Sequence, residues 1–283
     1  MTVRRRAACA ILLATAGSLA RAAAVASLPS GLVKAPDGSW VAPDVARVMQ
    51  RGELVVAMLG TDSPPFFQMR EGRLVGIDVR MAQQLAAELK VPLRIDRTPA
   101  SFDEVVARVA GGRADMGISK LSRTLGRAQS VRFSEPYLRL KHALMLNRIE
   151  FARYSHRKDL QEVLRDYRGT MGVIANSSFA SNYAPRNFPN AKLVSFPTWE
   201  LVVEAVLNGK VVAAYRDELE IRRLLAAEPG LAMKLRIVAF KDLEDTLGIA
   251  VGYRDEALLA LANQYLAQMP DKLTVEKVLN ELQ

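Results

Sequence analysis

The stretch Asp103-Glu-Val-Val-Ala-Arg-Val-Ala110-Gly-Gly-Arg-Ala114-Asp-Met-Gly-Ile-Ser119 sets a helix directly against a strand. Residues 103–110 read as helix, the pair Gly111 and Gly112 stops it, and 114–119 read as strand. Upstream, Asp44 can cap a short helix to residue 49, and 53–58 form an apolar run of strand length. Asp78 can cap a helix in which Val79, Ala82, Leu85, Ala86 and Leu89 recur at helical spacing, and 93–97 follow as a strand. Strands alternating with helices predict a mostly parallel sheet covered by helices.

A second set of units follows a strand over 139–147. Its strands fall at 170–174, 192–196 and 211–215, and its helices at 160–165, from 179, at 199–207 behind Thr198, and at 217–226. The tail, a strand at 246–252 and a helix at 256–268, returns to the first set. The fold expected is therefore α/β: two Rossmann-like α/β lobes joined by a two-strand hinge. Lobe one comprises 44–143 plus 241–283, and lobe two comprises 144–240.

Composition excludes several kinds of chemistry. The chain has 283 residues, one Cys and two His, so an internal disulfide or a histidine metal cage is not available and neither metal nor cofactor is expected. There are 39 Lys and Arg against 30 Asp and Glu. Arg4, Arg5 and Arg6 precede an apolar run over 7–20, followed by small residues and Arg21, which predicts a cleaved export signal over 1–24. That run is too short to span a bilayer. Residues 25–43, with Lys34-Ala-Pro-Asp-Gly-Ser39, read as a flexible leader. The remaining basic residues are dispersed among acids, which argues against nucleic-acid binding. His142 and His156 read as structural or surface residues.

Several segments then point to one family. They are Arg51-Gly-Glu-Leu-Val-Val56, Pro64-Pro-Phe66, Gly72-Arg-Leu-Val-Gly-Ile-Asp78, Asp115-Met-Gly-Ile-Ser-Lys-Leu-Ser-Arg-Thr-Leu-Gly-Arg127 and Val131-Arg-Phe-Ser-Glu-Pro-Tyr137, with Gly172-Val-Ile174, Asn208-Gly-Lys210 and Arg216-Asp217 further on. In these the chain resembles, from about residue 51 to 268, the bacterial extracellular solute-binding proteins (family 3) that bind amino acids for ABC importers. The resemblance implies a type II periplasmic binding fold and a periplasmic, monomeric protein. It also implies capture of an amino acid or related small carboxylate by lobe closure, with an ABC permease in the inner membrane as partner.

Residues 122–127 follow a strand and read as opening a helix, so their backbone N–H groups could seat an anion, with the Arg127 fork reaching a carboxylate. Thr124 as a plain cap and Arg127 as a solvated arginine is the simpler alternative. The resemblance implies that Arg127, Ser122 and Lys120, the last through its backbone, hold the ligand carboxylate. It implies further that Asp217 and Ser178 hold an ammonium. Asp217 by itself reads as a helix cap. Phe102 matches a position that stacks on the ligand in relatives, Phe66 lies near the cleft, and core packing is the alternative for both. Ser63 stands where relatives often carry an aromatic, which enlarges one wall. Lys120, Arg123 and Arg80 add positive charge near the motif, so a carboxylate-rich ligand is conceivable. Two rival classes stay open: an enzyme such as a cyclohexadienyl dehydratase, with Glu218 or Glu220 as acid, and a sensory or partner-docking protein.

Overall fold

A computed structural model describes residues 31–156 and 158–281. The expected export signal, and the start of the leader, lie outside them. Within the rest of the leader, Val33–Lys34 pairs with Trp40–Val41 around a turn at Asp37 and Gly38.

The first sheet holds β1 (Leu54–Ala57), β2 (Leu93–Asp96), β3 (Met116–Gly117) and β4 (Val131–Phe133), with a late strand, β10 (Ala250–Gly252), in the order β2-β1-β3-β10-β4. The second holds β5 (Leu138–Asn147), β6 (Thr170–Ile174), β7 (Lys192–Phe196), β8 (Ala213–Asp217) and β9 (Leu235–Leu247), in the order β7-β6-β8-β5-β9. The expectation of mostly parallel sheets needs correction. β2, β1 and β3 are parallel, as are β7, β6 and β8, because helical crossovers join them. β10 runs antiparallel to β3 and β4, and β5 antiparallel to β8 and β9. β5 and β9 carry the chain between the lobes and β10 follows directly on β9, so these strands enter the sheets without a crossover helix.

All four residues of β1 are buried, as a strand covered on both faces requires. The core around it draws on Val48 to Leu140 and again on Leu247 to Val278, with Leu219 from the second set of units. Two further core clusters flank the second sheet. β5 belongs to both lobes: Leu138 and Leu140 lie in the first core, while Ala143 to Leu146 lie in the second. β9 pairs along it from Leu235↔Asn147 to Leu247↔Leu138, with the register interrupted between Ala239 and Glu244. Two long strands thus cross together between the sheets, and the break in their ladder is where a hinge can bend.

Two expected caps act elsewhere. Asp44 does not cap its own helix, α1 (Pro43–Arg51); its Oδ2 accepts the N–H groups of Ala257 and Leu258 at 2.9 and 3.0 Å, at the start of the helix Glu256–Gln268. Asp78 lies inside the helix Ile77–Glu88 and accepts the Lys120 N–H at 2.6 Å. Asp115, in the most family-like stretch, accepts the Val55 N–H at 2.8 Å and pairs with Arg51, so it ties α1 to β1.

Candidate functional site

The candidate side chains project from the C-terminal ends of β3 and β8, where open α/β sheets place ligands. After β3 the chain enters a turn at Lys120, whose φ of 48° lies in the left-handed region. The Asp78 carboxylate on its N–H and the Ser119 hydroxyl, which accepts the Leu59 N–H at 2.9 Å, secure that turn. No α-helix follows. Only the single 3-10 turn Arg127–Gln129 forms, so the expected helix N-terminus is absent. Thr124 does act as a local cap, its Oγ1 accepting the Arg127 N–H at 3.2 Å.

Lys120, Ser122 and Phe102 from the first lobe meet Ser178 and Asp217 from the second around a narrow gap of about 30 Å³. The Lys120 ammonium crosses the cleft to Glu220 Oε1 at 2.6 Å and Asp217 Oδ2 at 3.1 Å, with the Phe66 ring 5.2 Å from it. Its side chain thus makes the contacts across the cleft, while its backbone N–H is held by Asp78. Ser122 Oγ lies 2.8 Å from Ser178 Oγ and donates to Asp245 Oδ2 at 2.7 Å. Asp217 caps the helix Glu218–Ala227 as expected, its Oδ1 accepting the Glu220 N–H at 3.1 Å.

Arg127 is buried beside this gap, outside its walls. Its Nε and Nη2 both donate to Asp103 Oδ1, at 3.0 and 2.8 Å, and its Nη1 to the Ser122 carbonyl at 3.2 Å. The Asp103 side chain is about half exposed, whereas Arg127 is not.

A larger cavity of about 360 Å³ shares Phe102 and Arg216 with the gap and reaches both lobes. Ser63 lines it. Phe66 is fully buried and forms the platform under Lys120. Arg80 pairs with Glu281 at 2.6 Å, and Arg123 lines a separate surface groove, so neither adds charge to the cleft.

Three residues gain roles that the sequence reading did not assign. Arg216 lies 5.1 Å from the Trp199 ring. Its Nε, like Trp199 Nε1, is a buried donor with no hydrogen-bond partner, and both residues line the larger cavity. Asp245 also accepts the Tyr183 hydroxyl at 2.8 Å, and burial pushes its carboxyl up to about 6. Arg216 belongs to the quoted pair Arg216-Asp217, but nothing in the sequence of 235–247 marked Asp245 as facing the cleft. Burial lowers His142 to about 4, so it is neutral; its Nδ1 meets the Tyr215 hydroxyl, a structural role. Among the described residues no group of acids, His and Cys is arranged to hold a metal ion, and no helix is long and apolar enough to cross a membrane.

Comparison with known proteins accords with this geometry. The chain is 27% identical over 220 residues to a cyclohexadienyl dehydratase of Pseudomonas aeruginosa, covering 78% of each chain. It is 24% identical over 217 residues to ABC transporter arginine-binding protein 1 of Escherichia coli, covering 76% of this chain and 84% of that one. The crystal structure of an amino acid ABC transporter substrate-binding protein from Streptococcus pneumoniae, bound to L-arginine, superposes with a TM-score of 0.66 at 26% identity, covering 84% of this chain and 96% of the other. With the family model matching residues 54–281 and both sheets built as two hinged lobes, the chain belongs to the bacterial extracellular solute-binding proteins, family 3.

Proposed function

We propose that the protein captures an amino acid or related small carboxylate in its interlobe cleft and delivers it to an ABC importer, working as a monomer in the periplasm. The observation that carries this reading is the convergence of Lys120, Ser122, Ser178 and Asp217 from two lobes on one gap. Residues 44–143 with 241–283 move as one lobe against 144–240. Arg127 receives the ligand carboxylate, which takes over the fork now held by the half-exposed Asp103. Exposed ion pairs contribute only about 0 to 1 kcal/mol, so micromolar affinity, roughly 8 kcal/mol, requires the lobes to exclude water.

The dehydratase among the relatives supports a second reading as an enzyme. That chemistry needs a protonated acid in the cleft. Glu220 lines the cavity, but although burial pushes its carboxyl up, the charges of Lys120, Arg216 and Arg223 hold it below the usual carboxylate range. It is built to pair with cations. Glu218 pairs with Arg222 at 3.1 Å and lines neither cavity of the cleft. Binding without turnover therefore fits better.

A thermal-shift screen against amino acids and small carboxylates tests the proposal. A true ligand at 100 times its Kd stabilises by about 2.7 kcal/mol, and Arg127→Ala should remove that gain while the protein still folds. Turnover of a prephenate-like acid by the purified protein would replace the binding reading with the enzymatic one.

A further inference from the structure

The three buried carboxylates of the cleft have no oxygen left without an internal donor. Asp217 gives Oδ1 to the Glu220 N–H and Oδ2 to Lys120. Glu220 gives Oε1 to Lys120 and Oε2 to both Nε and Nη2 of Arg223, at 3.2 and 2.9 Å. Asp245 gives Oδ1 to Tyr183 and Oδ2 to Ser122. Of the other acids lining the larger cavity, Asp62 is held by Arg97 at 2.9 Å and Glu200 is exposed.

Donors are in the opposite condition. Arg216 Nε and Trp199 Nε1 are buried without hydrogen-bond partners; the Arg216 charge is balanced at longer range by Asp217 at 3.8 Å and Glu220 at 3.7 Å, but these contacts satisfy no N–H. A ligand ammonium entering the gap would have to push the Lys120 ammonium off two carboxylates and leave a buried charge without a partner, which costs far more than it returns. A ligand acceptor meets unsatisfied donors instead.

We propose that Lys120 occupies the seat a ligand ammonium would need, so that the cleft selects small carboxylates lacking an α-amino group, of the α-oxo or α-hydroxy acid class. This rests on the carboxylate-binding reading of the same site. Asp217 and Glu220 then serve to position Lys120, and Lys120 is the residue that sets specificity.

The test is calorimetric titration of the purified protein with matched pairs: L-alanine and pyruvate, L-phenylalanine and phenylpyruvate, L-glutamate and its α-oxo acid. The oxo member of whichever pair binds should bind at least about ten-fold tighter than its amino partner. In Lys120→Met, with Lys120→Gln as a second variant should the first not fold, that preference should shrink or reverse. Tighter binding of the amino member by the wild-type protein would overturn the assignment of Lys120 and leave the binding reading intact, as would an unchanged ratio in both variants. If no member of any pair binds, the carboxylate reading itself falls, and this inference with it.

Discussion

Lys120 and Asp245 show how individual side chains carry the site. The left-handed backbone at Lys120 costs energy for a residue with a Cβ, and the Asp78 carboxylate on its N–H helps to offset it. Asp245 has a measurable consequence. Burial raises its carboxyl to about 6, so between about pH 4 and that value the native state binds more protons than the unfolded chain. Its contribution to stability is therefore greatest below about pH 4 and declines as pH rises through about 6. Asp245→Asn should flatten that decline, gaining on the order of 2 to 3 kcal/mol relative to wild type between about pH 4 and pH 7. Urea melts across that range would show it, and parallel profiles for the two proteins would contradict it. The pair Arg216-Asp217 was visible as part of a familiar pattern. The role of Asp245 was not, because its partners Ser122 and Tyr183 lie more than sixty positions away in sequence.

Helix ends show how far local signals reach. Ser101, Thr198 and Asp217 cap the helices they precede, since a cap needs only the next three residues. Asp44 has the same chemistry but serves a helix more than two hundred residues on. Asp44→Ala should cost about 1 to 2 kcal/mol, read as a lower urea midpoint at unchanged slope, because it leaves two helix N–H groups at a buried end without an acceptor. The turn before α2 (Ile77–Glu88) is more constrained. Gly76 has φ 136°, and a Cβ there would meet the carbonyl oxygen of Phe66. Those backbone groups cannot swing away, since Pro65 and Phe66 carbonyls accept the N–H groups of Ile77 and Asp78. Gly76→Ala should therefore destabilise by about 2 to 4 kcal/mol, and the loss should extend to Lys120 through Asp78. Hydrogen exchange at the Lys120 amide would report that coupling.

At the scale of the whole molecule, the lobes are joined by the β5–β9 ladder and latched across the cleft by Lys120 and Ser122. Removing the latch shifts the balance between open and closed forms by its differential contribution to the closed one. Ser178→Ala combined with Lys120→Gln should give a larger radius of gyration by X-ray scattering than wild type under the same conditions, and an unchanged radius would mean that the hinge alone sets closure. Hydrophobic periodicity and turn residues determined the alternation of helices and strands and the two-lobe plan, because those signals act within a few residues along the chain, while the segments from Arg51 to Asp217 carried the resemblance to the family. The spacing of 115–137 also brought Lys120, Ser122 and Arg127 into view as candidates. Only the tertiary structure decided that the return strands enter antiparallel, that Arg127 rests on Asp103, and that Lys120 spans the cleft to Asp217 and Glu220. Which charge pairs with which is settled by proximity and burial in space, and a linear sequence carries neither.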